Sequence, residues 1–214
     1  MSGPLRSRIR LEGPVTSWVD DPGGGRDRGP RGLARAWIEV VLRPRRFFRS
    51  GVAPGDQGPG LTFAMAVVAI EEAGRLALVP TAIPSLVGGR LASAAVIVGL
   101  AALLVTPAAL HLLAAIQTLL LRPLVAERAG VSETVQVLGY AIAPCVLAGF
   151  PVPALRMLCA AYGTWLLVVG LAVVHETDIQ RAVLAGVLPA AAVFGYGFRG
   201  FLAAQQLLAG SYGF

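Results

Sequence analysis

The sequence predicts an all-α, polytopic integral membrane protein. The expected form is a five-transmembrane-helix bundle with a disordered N-terminal arm and a candidate interfacial helix between the two. Three observations carry this. First, 56% of the 214 residues are hydrophobic and only 14% are charged, with a mean hydropathy of +0.70; soluble domains run at about 25% charged. Second, Leu91–Leu121 holds no charged side chain between Arg90 and Arg122. As a helix it is roughly 46 Å long at ~1.5 Å per residue, longer than the roughly 30 Å of a bilayer core. Third, four further apolar runs alternate with short stretches rich in Pro, Gly and charge.

The charge balance points to anionic partners. The formal net charge is +6, and all 18 basic residues are arginine. A guanidinium offers a planar fork to phosphate or carboxylate, so acidic lipid headgroups of the bilayer are the expected partner. A protein partner or a homo-oligomer stays open. Nucleic acid is not expected, because no aromatic residues interleave the basic ones. Cys145 and Cys159 sit in apolar surroundings and read as buried thiols rather than a disulfide framework. The first 30 residues contain no apolar h-region, so the first span is expected to target the chain.

Residues 1–32 form an arm rich in Arg, Gly and Pro. Asp21-Pro22-Gly23-Gly24-Gly25 cannot build a core and predicts disorder. From about 33 to 49 the pattern turns amphipathic. Leu33, Trp37, Val40, Val41, Phe47 and Phe48 are interrupted by Arg35, Glu39, Arg43, Arg45 and Arg46, and the spacing from Leu33 to Val41 is helical. Pro44 should end or kink that helix near Leu42 or Arg43. Trp, Phe and Arg together fit a helix at the membrane surface; a helix packed on the bundle fits equally well.

The first span, about 61–80, carries Glu71, Glu72 and Arg75. Each charge costs about 2.5–3.5 kcal/mol at a helix centre, and each Leu, Ile, Val or Phe returns roughly 0.3–0.6. The apolar residues of this run do not offset three charges, so those side chains should face away from lipid. Arg75 lies within helical reach of both acids, which leaves one carboxylate over. The second span, 91–121, contains Pro107, which predicts a kink. His111 follows one turn later. It can join Glu71 and Glu72 in an intramembrane cluster, or bond a backbone carbonyl freed by Pro107. Glu71, Glu72, Arg75 and His111 are therefore the candidate polar site. As a functional site it would serve a proton, ion or substrate; as a structural one it is an ion pair that fixes helix rotation.

Ser132 predicts an N-cap for the third span, 133–150, which Pro144 interrupts. The fourth span covers 156–174, with Gly163 and Gly170 suited to close packing. His175-Glu176-Thr177-Asp178 looks like a metal tetrad, but consecutive side chains rarely converge on one ion, and a solvated helix end is expected. The fifth span, 179–197, contains Pro189. Tyr196, Phe198, Arg199 and Phe201 then read as an aromatic and cationic girdle at the water interface. Residues 202–214 form a short tail.

Five spans place the termini on opposite sides. With the N-terminus inside, the cytoplasmic segments hold 14 arginines and the outer segments three. The positive-inside rule therefore sets the N-terminus in the cytoplasm, the C-terminus outside, and the chain in the cell membrane.

The pattern resembles the Yip1-domain family, whose members have a cytosolic arm and five spans. Gly139-Tyr140-Ala141-Ile142-Ala143-Pro144 is similar to the Gly-Tyr pair and following proline of that family's third span. Arg43-Pro44-Arg45-Arg46-Phe47-Phe48 resembles the Pro-x-x-Phe-Phe entry of prokaryotic members. The run Gly51–Gly60, the Glu71-Glu72 pair and Gly195-Tyr196-Gly197-Phe198-Arg199-Gly200-Phe201 resemble haloarchaeal ones. The resemblance spans about residues 33–201 and implies a non-enzymatic membrane protein. Eukaryotic relatives act with small GTPases in vesicle traffic and membrane shaping; the acidic Asp-Leu-Tyr-Gly-Pro motif those relatives carry ahead of their first span is missing from this sequence. Read from its residues alone, Gly139, Tyr140 and Pro144 form a packing device: glycine admits a neighbouring helix, and proline leaves a carbonyl near Tyr140 unpaired.

Two functions fit. One is a membrane-organising or partner-recruiting protein, supported by the arginine-rich arm and the five-span layout. The other is a small transporter or proton-coupled permease that uses the acidic cluster and proline-broken helices. Catalysis is not expected: no Ser-His-Asp, HExxH or Gly-x-Ser-x-Gly pattern is present. No cofactor or metal is expected either.

Overall fold

The computed structural model describes residues 18–19 and 29–211. The disorder expected for Asp21–Gly25 and most of the arm falls outside the described residues, as does the end of the tail from 212 on. The described residues are helical, with no strand among them.

Helix α1 (Pro30–Leu42) starts with Pro at its first position and ends where Pro44 begins α2 (Pro44–Ser50). Both helices pack on the bundle by their aromatic side. Trp37 donates its Nε1–H to the Ala143 carbonyl at 2.7 Å, and the Tyr162 hydroxyl donates to the Val41 carbonyl at 2.5 Å. Phe47 and Phe48 are buried, while Arg31, Arg35, Arg43, Arg45, Arg46 and Arg49 stay exposed. The interfacial segment is thus a pair of helices clamped to the flank of the bundle.

Helix α3 (Gly58–Leu78) carries the first apolar run. Its acidic pair sits in the C-terminal half, toward one end of the bundle. The second run is continuous helix from Arg90 to Leu121. It comprises α4 (Arg90–Leu100), a π-helical turn (Ala101–Val105) and α5 (Thr106–Leu121). The wide turn lies directly before Pro107, where a ring would otherwise meet the preceding carbonyls. Each polar side chain of the run makes at least one hydrogen bond, and Gln117 Oε1 is left without a partner among the described residues. Ser93 Oγ serves the 86–87 backbone at 3.0–3.1 Å. Thr106 Oγ1 donates to the Ala101 carbonyl at 2.7 Å, and Gln117 Nε2 donates to the Ala185 carbonyl at 2.7 Å, tying α5 to a later helix.

Helix α6 (Val131–Ala141) is the axis of the fold, buried from Thr134 to Ala141. Its N-cap is Gly130, so Ser132 lies inside the first turn rather than capping it. Pro144 ends the α-helix, and a 3-10 stretch (Ala143–Leu147) follows. Helix α7 (Pro153–Val174) runs back beside α6. Helix α8 (Ile179–Ala190) is capped by Asp178, whose carboxylate accepts the Arg181 N–H at 2.9 Å. Pro189 is absorbed by a second π-helical stretch (Ala191–Gly197). The tail is helical: α9 (Gly200–Ser211) folds back on α7.

Three of these helices are long and apolar enough to cross a membrane: Arg90–Leu121, Pro153–Val174 and Ile179–Gly197. Val131–Leu147 is a shorter apolar helix. The large exposed apolar residues gather on them, as at Leu103, Leu104, Leu112, Leu184 and Leu188.

Close backbone approach sets the centre. A Cβ on Gly139 would stand 2.6 Å from the Gly60 carbonyl oxygen, and one on Gly60 would stand 2.6 Å from Gln136 Cα. Helices α3 and α6 therefore touch backbone to backbone. Around this contact runs a ladder of edge-to-face rings: Trp18 on Phe63 (6.4 Å), Phe63 on Tyr140 (5.3 Å), Tyr140 on Phe47 (4.8 Å) and Phe47 on Phe48 (6.0 Å). Trp18 is an arm residue, yet it is 2% exposed.

Candidate functional site

Glu71 and Glu72 follow one another on α3, so they point about 100° apart around the helix. Both are buried. Glu72 is answered locally. Arg75, three residues on, forks onto it, with Nε donating to Oε2 at 2.9 Å and Nη2 paired with Oε1. Glu71 is answered from far away: Arg199 Nη2 pairs with its Oε1. The same guanidinium reaches Glu72, with Nη1 3.7 Å from Oε2. Two acids and two arginines thus close a neutral quartet, and no carboxylate is left over.

The backbone is shaped to deliver Arg199. The π-helical stretch ends at Gly197, and Arg199 takes a left-handed φ of 59°. That conformation is costly for a residue with a Cβ, and it turns the side chain inward. On the other side, the 148–150 turn lies flat against α3. A Cβ on Gly149 would collide with the Glu71 carbonyl and stand 3.0 Å from the Arg75 nitrogen. Arg156, on the first turn of α7, is buried and donates its Nε–H to the Ala148 carbonyl at 2.9 Å. The quartet therefore ties α3 to the junction of the last two helices, at the end of the bundle where α7 begins.

His111 stands apart from this group. Its Nδ1 lies 2.7 Å from the Pro107 carbonyl oxygen, one turn back on its own helix, and the residue is exposed. Three of the four expected cluster members therefore meet, and the fourth does not. Arg199 takes its place, drawn in from the expected interfacial girdle; Tyr196 and Phe201 remain outside, stacked edge to face. Helical spacing finds Arg75 because it is local. It offers no signal for Arg199, 128 residues from Glu71 in sequence.

Gly139, Tyr140 and Pro144 form a packing centre. Gly139 admits α3, the Tyr140 ring is gripped by Phe47 and Phe63, and the break at Pro144 presents the Ala143 carbonyl that accepts Trp37. Cys145 and Cys159 are buried free thiols.

At the other end of the bundle, His175 departs from the solvated end expected of it. It is 1% exposed, with Nε2 3.3 Å from Thr134 Oγ1. Burial pushes its pKa down to about 4, aided by the nearby Arg128 guanidinium. Glu176 follows in the left-handed region (φ 47°), and the Thr177 N–H reaches back to the Ala172 carbonyl at 3.0 Å, which closes α7 as a Schellman-type end. No group of three metal-ligating side chains converges among the described residues.

The Yip1 domain family model matches residues 38–199. No curated protein matches the chain, and no solved structure does.

Proposed function

The chain belongs to the Yip1 domain family, and from that premise we propose that it is a non-enzymatic membrane-organising or partner-recruiting protein. Five segments, α3, α4–α5, α6 with its 3-10 extension, α7 and α8 with its π-helical end, cross the cell membrane in this reading. The N-terminus faces the cytoplasm and the C-terminus faces outside.

One observation supports recruitment most directly. Helices α1 and α2 are fixed to the bundle at Trp37, Val41, Phe47 and Phe48, while their arginines stand outward. A loose basic arm would lose conformational entropy on binding, and a clamped one has already lost it. Exposed arginines are not tolerated in hydrocarbon. The α1–α2 flank therefore meets something anionic, either headgroups or the acidic face of a partner. Transport draws less support, because the quartet neutralises itself and His111 bonds its own helix.

The test is co-purification from native membranes in mild detergent. The full chain is compared with a variant carrying Arg→Gln at Arg43, Arg45, Arg46 and Arg49. Recruitment predicts a defined partner on the parent chain that is lost from the variant, with both inserting equally. Equal partner sets would sink the reading. Reporters fused after Phe214 check the topology: activity restricted to the cytoplasm contradicts five spans.

A further inference from the structure

The turn between α7 and α8 is polar and carries His175, Glu176, Thr177 and Asp178. It opens into a groove of about 960 Å³ walled by α2, the loop between α5 and α6, and the end of α7. That volume is at the upper end of the roughly 300–1,000 Å³ of small-molecule sites. Phe48, Val169 and Val173 give it an apolar side. Arg45, Arg49 and Arg128 give it a cationic one, and none of these three forms an ion pair among the described residues. Of the four acids that line it, two are engaged. Glu133 accepts the Gly55 N–H at 3.1 Å, and Asp178 caps α8 and pairs with Arg181. Accepting that N–H leaves the charge of Glu133 in place, so Glu127, Glu133 and Glu176 match the three arginines in number, and an anion is drawn by the guanidinium forks rather than by a net charge.

Among the described residues, buried polar atoms without a partner line this place, Arg128 Nε, His175 Nδ1 and Thr177 Oγ1, with Ser132 Oγ in the neighbouring first turn of α6. Each such atom costs about 1–3 kcal/mol when left unmade, so a cluster of them asks for a species that completes it. Their chemistry says which. Arg128 Nε–H needs an acceptor, and Ser132 and Thr177 can give or take. His175 is neutral, and its Nε2 faces Thr134 Oγ1, which itself donates to the Gly130 carbonyl at 2.9 Å. The imidazole hydrogen therefore sits on Nε2, and Nδ1 is left as an acceptor in want of a donor. A ligand that fits has anionic oxygens for the arginines, a hydroxyl for Nδ1, and an apolar part for the wall of α7.

We propose that this groove binds a glycerophosphate headgroup, with its phosphate on Arg45, Arg49 and Arg128 and a free hydroxyl on His175. This gives the anionic partner argued above a defined site and chemistry, and rests on that reading. A choline headgroup lacks the hydroxyl and is a poor fit.

The test uses the full chain in mild detergent. Thermal unfolding midpoints and native mass spectra are recorded with dihexanoyl phosphatidylglycerol, dihexanoyl phosphatidylcholine and glycerol 3-phosphate. The expected result is saturable stabilisation and a retained adduct with phosphatidylglycerol but not phosphatidylcholine. Binding should be weaker by about tenfold or more in Arg128→Gln, as for loss of a charge-assisted contact, and weakened also in Thr177→Val and Arg49→Gln. Arg49 is exposed on α2, so that variant keeps the test open should Arg128→Gln fail to fold. Saturable, Arg128-sensitive binding of glycerol 3-phosphate makes a soluble phosphate the source and leaves the site standing. No saturable binding of either anion, or binding equal in the parent and the groove variants, overturns the proposal. Loss in Arg43→Gln/Arg46→Gln alone overturns the groove and leaves the arginine-flank reading intact. Groove binding in a chain whose partner set ignores the flank arginines does the reverse.

Discussion

Replacing Arg199 with methionine removes the only guanidinium that reaches Glu71 among the described ion pairs. The Glu71 side chain is 4% exposed, so water cannot take over. Breaking a buried pair from one side costs about 3–5 kcal/mol, because the surviving charge is left uncompensated. Arg199 itself is 27% exposed, so the lower end, about 3 kcal/mol, is the working figure. Glu72 keeps its fork to Arg75, which confines the damage to one carboxylate. The double variant Arg199→Met/Glu71→Gln removes both charges and should recover much of the loss, since an ion pair exchanged for neutral groups is often near neutral in stability. The left-handed backbone at position 199 is common to all three chains, so its strain cancels. The assay is equilibrium unfolding in mixed micelles, followed by circular dichroism. A single variant within about 0.5 kcal/mol of the parent, or a double variant no more stable than the single, would refute the quartet as the element holding α3 to the last helices.

Two other outcomes follow from the packing and from the buried imidazole. Gly139→Ala places a methyl 2.6 Å from the Gly60 carbonyl oxygen and 3.1 Å from its carbon; backbone cannot rotate away, so a loss of about 1–3 kcal/mol is expected, and an unchanged unfolding midpoint counts against the contact between α3 and α6. His175, held down to about 4 in the fold by burial and Arg128, binds its proton near pH 6.5 once unfolded. The unfolded chain then carries more protons between those values, so stability is full above about pH 6.5 and falls as the pH drops toward 4, by about 3 kcal/mol in all. Comparison of His175→Gln with the parent across pH 4–7 checks this; identical slopes contradict it.

The proline punctuation was readable from the chain alone. Pro44 separates α1 from α2, and Pro144 ends α6. Both follow from a missing N–H and a ring that crowds the preceding turn. The two π-helical turns were not readable. Pro107 and Pro189 announce a disturbance, but whether a helix kinks or widens depends on what packs beside it. The same limit governs the polar site. Glu71, Glu72 and Arg75 belong together by local spacing, whereas Arg199 joins them only through the fold. Near Trp18, Gly- and Pro-rich surroundings hide a residue that Phe63 shelters. His111 misleads for a related reason: a helix offers every histidine a carbonyl one turn back, and here that partner suffices.

The placement of Arg199 also sets an order of assembly. Helix α3 is synthesised ahead of the other apolar segments described above, and the counter-charge for Glu71 lies 128 residues further along the chain, after all of them. Under the five-span reading, α3 must wait through the synthesis of every later span with one acid unanswered. A nascent chain at that stage needs a polar shelter, whether the insertion machinery or a partner chain, and seals only when Arg199 arrives.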